Sequence, residues 1–155
     1  MNMIYKDRLK FLRDRTNTKE KDIKAILGIG KSLYSEYESE IKIMPVKHLN
    51  LICNYFNISF DYLFGLTEKL QYSTIKKDEL NPNVIGKNLK EIRKELKLTQ
   101  EKLADIVGCS YGTIAGYEIG RYTISTPVLY KICKKYHISA DYVLGRTNNP
   151  KYIKN

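Results

Sequence analysis

The sequence predicts an all-α protein made of two copies of one small helical domain. Three observations predict it. Displaced by 80 residues, the chain matches itself without a gap from Tyr5 over Ile85 to Thr67 over Thr147. Apolar residues recur at helical spacing in both copies. Strand-like alternation of apolar and polar residues is absent. Identical pairs run the whole length, among them Leu9/Leu89, Arg13/Arg93, Gly28/Gly108, Tyr37/Tyr117, Glu38/Glu118, Cys53/Cys133, Asp61/Asp141 and Gly65/Gly145. Chance similarity between two helical segments does not hold one register that far.

Each copy reads as five short helices. In the second copy, Ile85, Leu89, Ile92 and Leu96 form one apolar stripe. Thr99 suits the N-cap of a second helix bearing Leu103, Ile106 and Val107, and Gly108 suits its C-terminus. Ser110 caps a third helix. Pro127 fits the first turn of a fourth, with Leu129, Ile132 and Tyr136 inward. A fifth runs from about Ala140 to Leu144 and is ended by Gly145. The first copy repeats this with Leu9 and Leu12, then Ile23, Ile26 and Leu27, then Leu49, Ile52 and Phe56. These boundaries give a first domain over 1–68, a linker over 69–83, a second domain over 84–148 and a frayed tail over 149–155. Fully extended, the linker would reach at most ~50 Å.

Composition narrows the function. The 155 residues carry 27 basic and 17 acidic side chains, a net charge of +10. A balance of that size favours a polyanionic partner, nucleic acid before membrane. Residues 1–80 hold 14 basic and 11 acidic side chains and residues 81–155 hold 13 and 6, so the second copy is the more basic. The three cysteines lack metal-ligand spacing and read as reduced residues of a cytoplasmic protein. No apolar run is long enough for a membrane span, and nothing resembles a signal peptide. Nucleophile–base pairs and phosphate loops are missing too, so the expectation is a non-enzyme with no cofactor and no metal. Most of the 13 tyrosines fall at core positions, with Tyr111 and Tyr122 as exceptions.

The stretch "LTQEKLADIVGCSYGTIAGYEIGR" (98–121) resembles the helix-turn-helix of the phage repressor/Cro-like (XRE-type) family of DNA-binding proteins. The endings "ISADYVLG" and "ISFDYLFG" resemble that family's C-terminal motif. The resemblance covers nearly the whole chain, twice. It implies two tandem five-helix, lambda-repressor-like domains in a sequence-specific, double-stranded-DNA-binding transcriptional regulator, a repressor by preference. In such proteins the third helix enters the major groove and the start of the second meets phosphate.

Carried over residue by residue, the resemblance assigns Thr99 and Gln100 to phosphate. It assigns Ser110, Tyr111, Gly112, Thr113 and Gly116 to the recognition helix, and Arg121 to the position after it. In the first copy the candidates are Lys31, Ser32, Ser35 and Glu36 on the exposed side of the third helix, and Lys42 just after it. That copy departs from the pattern where Glu20 replaces Gln100 and Ile41 replaces Arg121. The family's arginine–glutamate pair is matched by Arg13 with Glu38 and by Arg93 with Glu118, read as scaffold, with solvated surface charges as the alternative.

At about 100° per residue, with Ile114 inward, Gly112, Gly116 and Ile119 fall on the outer face of the third helix. Glycine offers nothing to a base edge. Three explanations stand open: a close approach to the groove using Tyr111, Thr113 and backbone groups, a bare face that receives a partner helix, or a relaxed position. The competing function is a protein-interaction module, antitoxin-like or anti-regulatory, in which one copy no longer binds DNA. For assembly, a homodimer and an intramolecular pseudo-dimer are both compatible, with Tyr62, Leu63 and Phe64 as candidate contacts.

Overall fold

The computed structural model describes residues 5–154, which fold as two compact units, one ending at Gln71 and the other beginning at Tyr72. Each is a five-helix bundle, and no β-strand occurs among the described residues.

The first unit contains α1 (Lys6–Thr16), α2 (Glu20–Leu27), α3 (Lys31–Glu38), α4 (Val46–Phe56) and α5 (Phe60–Leu63). Its core gathers Leu9, Leu12, Ile23, Leu27, Tyr34, Leu49, Ile52 and Phe60, all buried. Each such side chain contributes about 1.5–3 kcal/mol on leaving water. The Tyr5 hydroxyl accepts a hydrogen bond from the Met44 N–H at 2.9 Å and ties the start of α1 to the segment before α4.

The second unit repeats the plan with α6 (Pro82–Glu95), α7 (Gln100–Val107), α8 (Tyr111–Glu118), α9 (Thr126–Tyr136) and α10 (Ala140–Val143). Its helix starts are better made. Asn81, Thr99, Ser110, Ser125 and Ser139 each accept a first-turn N–H on the side-chain oxygen. Among the N-cap residues of the first unit, Ser59 alone does so. Each cap contributes about 1 kcal/mol.

Several expectations need correction. Ile106, expected in the core, is 39% exposed. Tyr62, Leu63 and Phe64 are buried, so they are core residues of the first unit rather than an assembly surface. The stretch 69–83 is not a free tether. Within the first unit the Leu70 carbonyl accepts the Ser59 N–H at 2.6 Å. Within the second, the Lys76 N–H donates to the Arg146 carbonyl at 2.7 Å and the Thr74 and Thr147 hydroxyls bond at 2.6 Å.

The tail is not frayed over its described part, 149–154. The Ser139 N–H donates to the Lys151 carbonyl at 2.8 Å, and the Ile153 N–H donates to the His137 carbonyl at 2.7 Å. Lys151 pairs with Glu91 at 2.8 Å and also with Glu95, and the Tyr152 hydroxyl donates to Glu95 at 2.9 Å. Two acids four residues apart share one face of α6, which is what a single lysine can bridge. Asn155 lies outside the described residues.

Candidate nucleic-acid interface

The α7–α8 turn is built from three local signals. Thr99 Oγ1 accepts the Lys102 N–H at 3.1 Å and starts α7. Gly108, at φ 75°, takes the left-handed conformation that stops it. Ser110 Oγ then accepts the Thr113 N–H at 3.2 Å and starts α8. The Thr113 hydroxyl also bonds Ser110 Oγ, at 2.8 Å, so these two candidates are engaged with each other.

Behind α8 lies a buried charge cluster. Arg93 Nε donates to Glu118 Oε2 at 2.6 Å and Nη2 donates to Oε1 at 2.9 Å. Arg93 Nη1 donates to the Leu98 carbonyl at 2.8 Å. Gln100, expected at a phosphate, directs its amide to Glu118 Oε1 at 3.1 Å. The Glu118 side chain is only 2% exposed, so its two oxygens exchange water for three N–H donors. Gly86 lets α6 come this close: a Cβ there would lie 2.3 Å from the Tyr117 carbonyl oxygen.

The outer side of α8 differs from the expected bare face. Gly112 is exposed, and a Cβ there would meet only Ser110 Oγ, at 4.0 Å. Gly116 is buried. The Arg121 and Tyr122 N–H groups both donate to its carbonyl, at 2.9 and 3.4 Å. That hairpin, with Gly120 at φ 76°, folds the chain back and lays the Tyr122 ring over Gly116. A Cβ at Gly116 would lie 2.4 Å from Tyr122 Cδ2. Tyr111, Ile119 and Tyr122 are each more than half exposed, and Thr99, Ser110 and Arg121 are exposed as well.

The first unit uses the same backbone differently. The Ile41 and Lys42 N–H groups donate to the Glu36 carbonyl at 2.9 and 3.1 Å, the same hairpin 80 residues earlier. The side chains at the positions of Gly116 and Tyr122 are Glu36 and Lys42, ion-paired at 2.8 Å. The hydrogen bond with Glu36 holds the Lys42 ammonium above its ordinary pKa. Lys31 pairs with Glu20 at 3.4 Å. Both candidate cations of this face therefore have an acid beside them, while Ser32 and Ser35 stay exposed. Arg13 Nη1 meets Glu38 Oε1 at 2.9 Å, and the Tyr34 hydroxyl donates to the same oxygen at 2.6 Å. The Glu38 side chain is 46% exposed, far wetter than Glu118.

Sequence reasoning missed the role of Gly86 and the buried pair of Arg146 with Asp141, 2.9 Å apart. The spacing Gly116–Gly120–Tyr122 was the available signal for the ring packing. No cluster of His, Cys, Asp or Glu able to hold a metal occurs among the described residues, and no helix is long and apolar enough to cross a membrane.

A turn between two helices, a buried arginine–glutamate brace and an exposed third-helix face define a helix-turn-helix protein. The chain belongs to the helix-turn-helix family, which matches residues 9–63 and 89–143. It is 40% identical over 62 residues to the antitoxin PezA of Streptococcus pneumoniae, covering 40% of this chain and 39% of that protein. It is 34% identical over 88 residues to the HTH-type transcriptional regulator YobD of Bacillus subtilis, covering 57% of this chain and 70% of that one. It is 40% identical over 50 residues to repressor protein C of Escherichia phage P2, covering 32% of this chain and 50% of that one. The chain thus spans about two-fifths of the antitoxin's length and half of the phage repressor's.

Proposed function

We propose that the protein is a transcriptional regulator, a repressor by preference, that binds double-stranded DNA in a sequence-dependent way through α8. The observation that carries this reading is the contrast between the two helix-turn-helix faces. In the second unit Arg121, Thr99 and Tyr111 are exposed beside α8, on the more basic half of the chain. In the first unit Lys31 and Lys42 are each ion-paired, with Glu20 and Glu36. Counterion release requires cations free to meet phosphate, so the second unit supplies most of the affinity. Thr99 and the first N–H groups of α7 meet phosphate, where the positive end of the helix lies. Gln100 acts one step back, by holding Glu118.

The first unit, with its acid-paired face, fits a protein-interaction role. The likeness to an antitoxin over 62 residues supports such a role for one of the two copies. Paired half-sites would then come from two chains, or from both units of one.

Duplex binding by fluorescence anisotropy over a salt series tests the proposal. Arg121→Ala is expected to lower affinity and to reduce the slope of log K against log salt by about 0.9. Lys42→Ala is expected to leave both unchanged. An unchanged slope with Arg121→Ala would count against α8 as the DNA-facing helix.

A further inference from the structure

We propose that the second unit selects thymine by its 5-methyl group and that Tyr122, seated over Gly116, is the residue that reads it. This rests on α8 facing the major groove.

The outer side of α8 offers little to a base edge by hydrogen bonding. Gly112 has no side chain, and Gly116 is covered by the Tyr122 ring. The large exposed groups are Tyr111 at 53%, Ile119 at 63% and Tyr122 at 52%. Along Tyr111–Glu118 there is no Arg, Lys, Asn or Gln. Forked recognition of guanine or adenine needs those side chains, because each must meet two groups of one base edge at once. A carbon-rich surface distinguishes one base-edge feature in the major groove, the thymine methyl.

Geometry singles out Tyr122 within that surface. The backbone that carries it is fixed, since Arg121 and Tyr122 both donate to the Gly116 carbonyl and Gly120 supplies the left-handed turn. One part of the ring is packed on Gly116 while half of the residue stays open to solvent. A ring so seated loses little freedom on meeting DNA, which makes its contact area effective. Residue 116 is glycine because any Cβ would displace the ring. The first unit, with the same hairpin, places the Glu36–Lys42 ion pair there and carries no such apolar surface at these two positions.

The experiment selects duplexes bound by the full chain from a randomised pool, then replaces each thymine of the recovered motif in turn by deoxyuridine. One or more positions should lose about four-fold in affinity, the factor for one buried methylene at ~0.8 kcal/mol. Tyr122→Phe should keep that penalty. Tyr122→Ala should bind the thymine and deoxyuridine duplexes equally at that position while melting at an unchanged temperature by circular dichroism. A motif whose thymines all tolerate deoxyuridine overturns the inference and leaves DNA reading intact. So does a penalty that persists in Tyr122→Ala. Failure to enrich any motif overturns both.

Discussion

The Tyr122 ring occupies the space that a side chain on Gly116 would need, with only 2.4 Å between Cδ2 and a Cβ at that glycine. The contact joins the last turn of α8 to the hairpin after it. It also separates two glycines that look alike in sequence.

Gly116→Ala meets the movable end of a side chain, whereas Gly86→Ala meets the Tyr117 and Glu118 carbonyls at 2.3 and 2.7 Å. Backbone cannot step aside without parting α6 from α8. Gly86→Ala should therefore cost about 1–3 kcal/mol in urea unfolding of the second unit. Gly116→Ala should be neutral or gain up to about 1 kcal/mol from helix propensity, as Tyr122 swings out. Equal effects of the two would contradict this account of the packing.

The two arginine–glutamate pairs should differ in the same way. Arg93→Ala leaves Glu118 buried without its main partner, a loss of about 3–5 kcal/mol. Arg13→Ala leaves Glu38 half in water, and about 0–1 kcal/mol is expected. Urea midpoints of the two variants measure the difference.

Acid should weaken the first unit at mild pH. Burial, and then Lys47, hold the His48 imidazole below its ordinary value, while its Nδ1 bonds the Tyr37 hydroxyl at 2.8 Å. The unfolded chain takes up the proton first, at about pH 6.5. Stability is complete above that pH and falls as pH drops toward the lowered folded-state value. His48→Gln should remove this dependence from the unfolding midpoint of the first unit between pH 7.5 and 5.5.

A second acid response belongs to the tail. Hydrogen bonds from Lys151, then from Tyr142 and Tyr152, hold the Glu91 and Glu95 carboxyls below the usual carboxylate range. Their contribution is present above about pH 4.3 and is lost as pH falls below it. Lys151→Met should flatten the acid limb of the second unit's stability curve and speed amide exchange at Ser139 and Ile153.

Much of this was legible in sequence because it is local or periodic. The 80-residue repeat, the caps at Thr99 and Ser110, and the stop at Gly108 depend on residues within a few positions of each other. Contacts set by three-dimensional approach were not legible. Helical spacing put Gly116 on a bare face, but the fold-back of Arg121 and Tyr122 onto its carbonyl covers it. Polarity and Pro82 marked 69–83 as a linker, although its residues pair with the N-cap of α5 and with the segment after α10. The tail's anchoring depends on Glu91 and Glu95, some sixty residues earlier in the chain. Gln100 shows another contact that was not legible: its position matches a family phosphate contact, and its amide also holds Glu118.

The most direct test of the central claim is selection of duplexes from a random pool by the full chain and by its Arg121→Ala variant. The account predicts one enriched motif for the unaltered chain, with enrichment reduced by Arg121→Ala and kept by Lys42→Ala. No enriched motif, or one lost on Lys42→Ala and kept on Arg121→Ala, would contradict it.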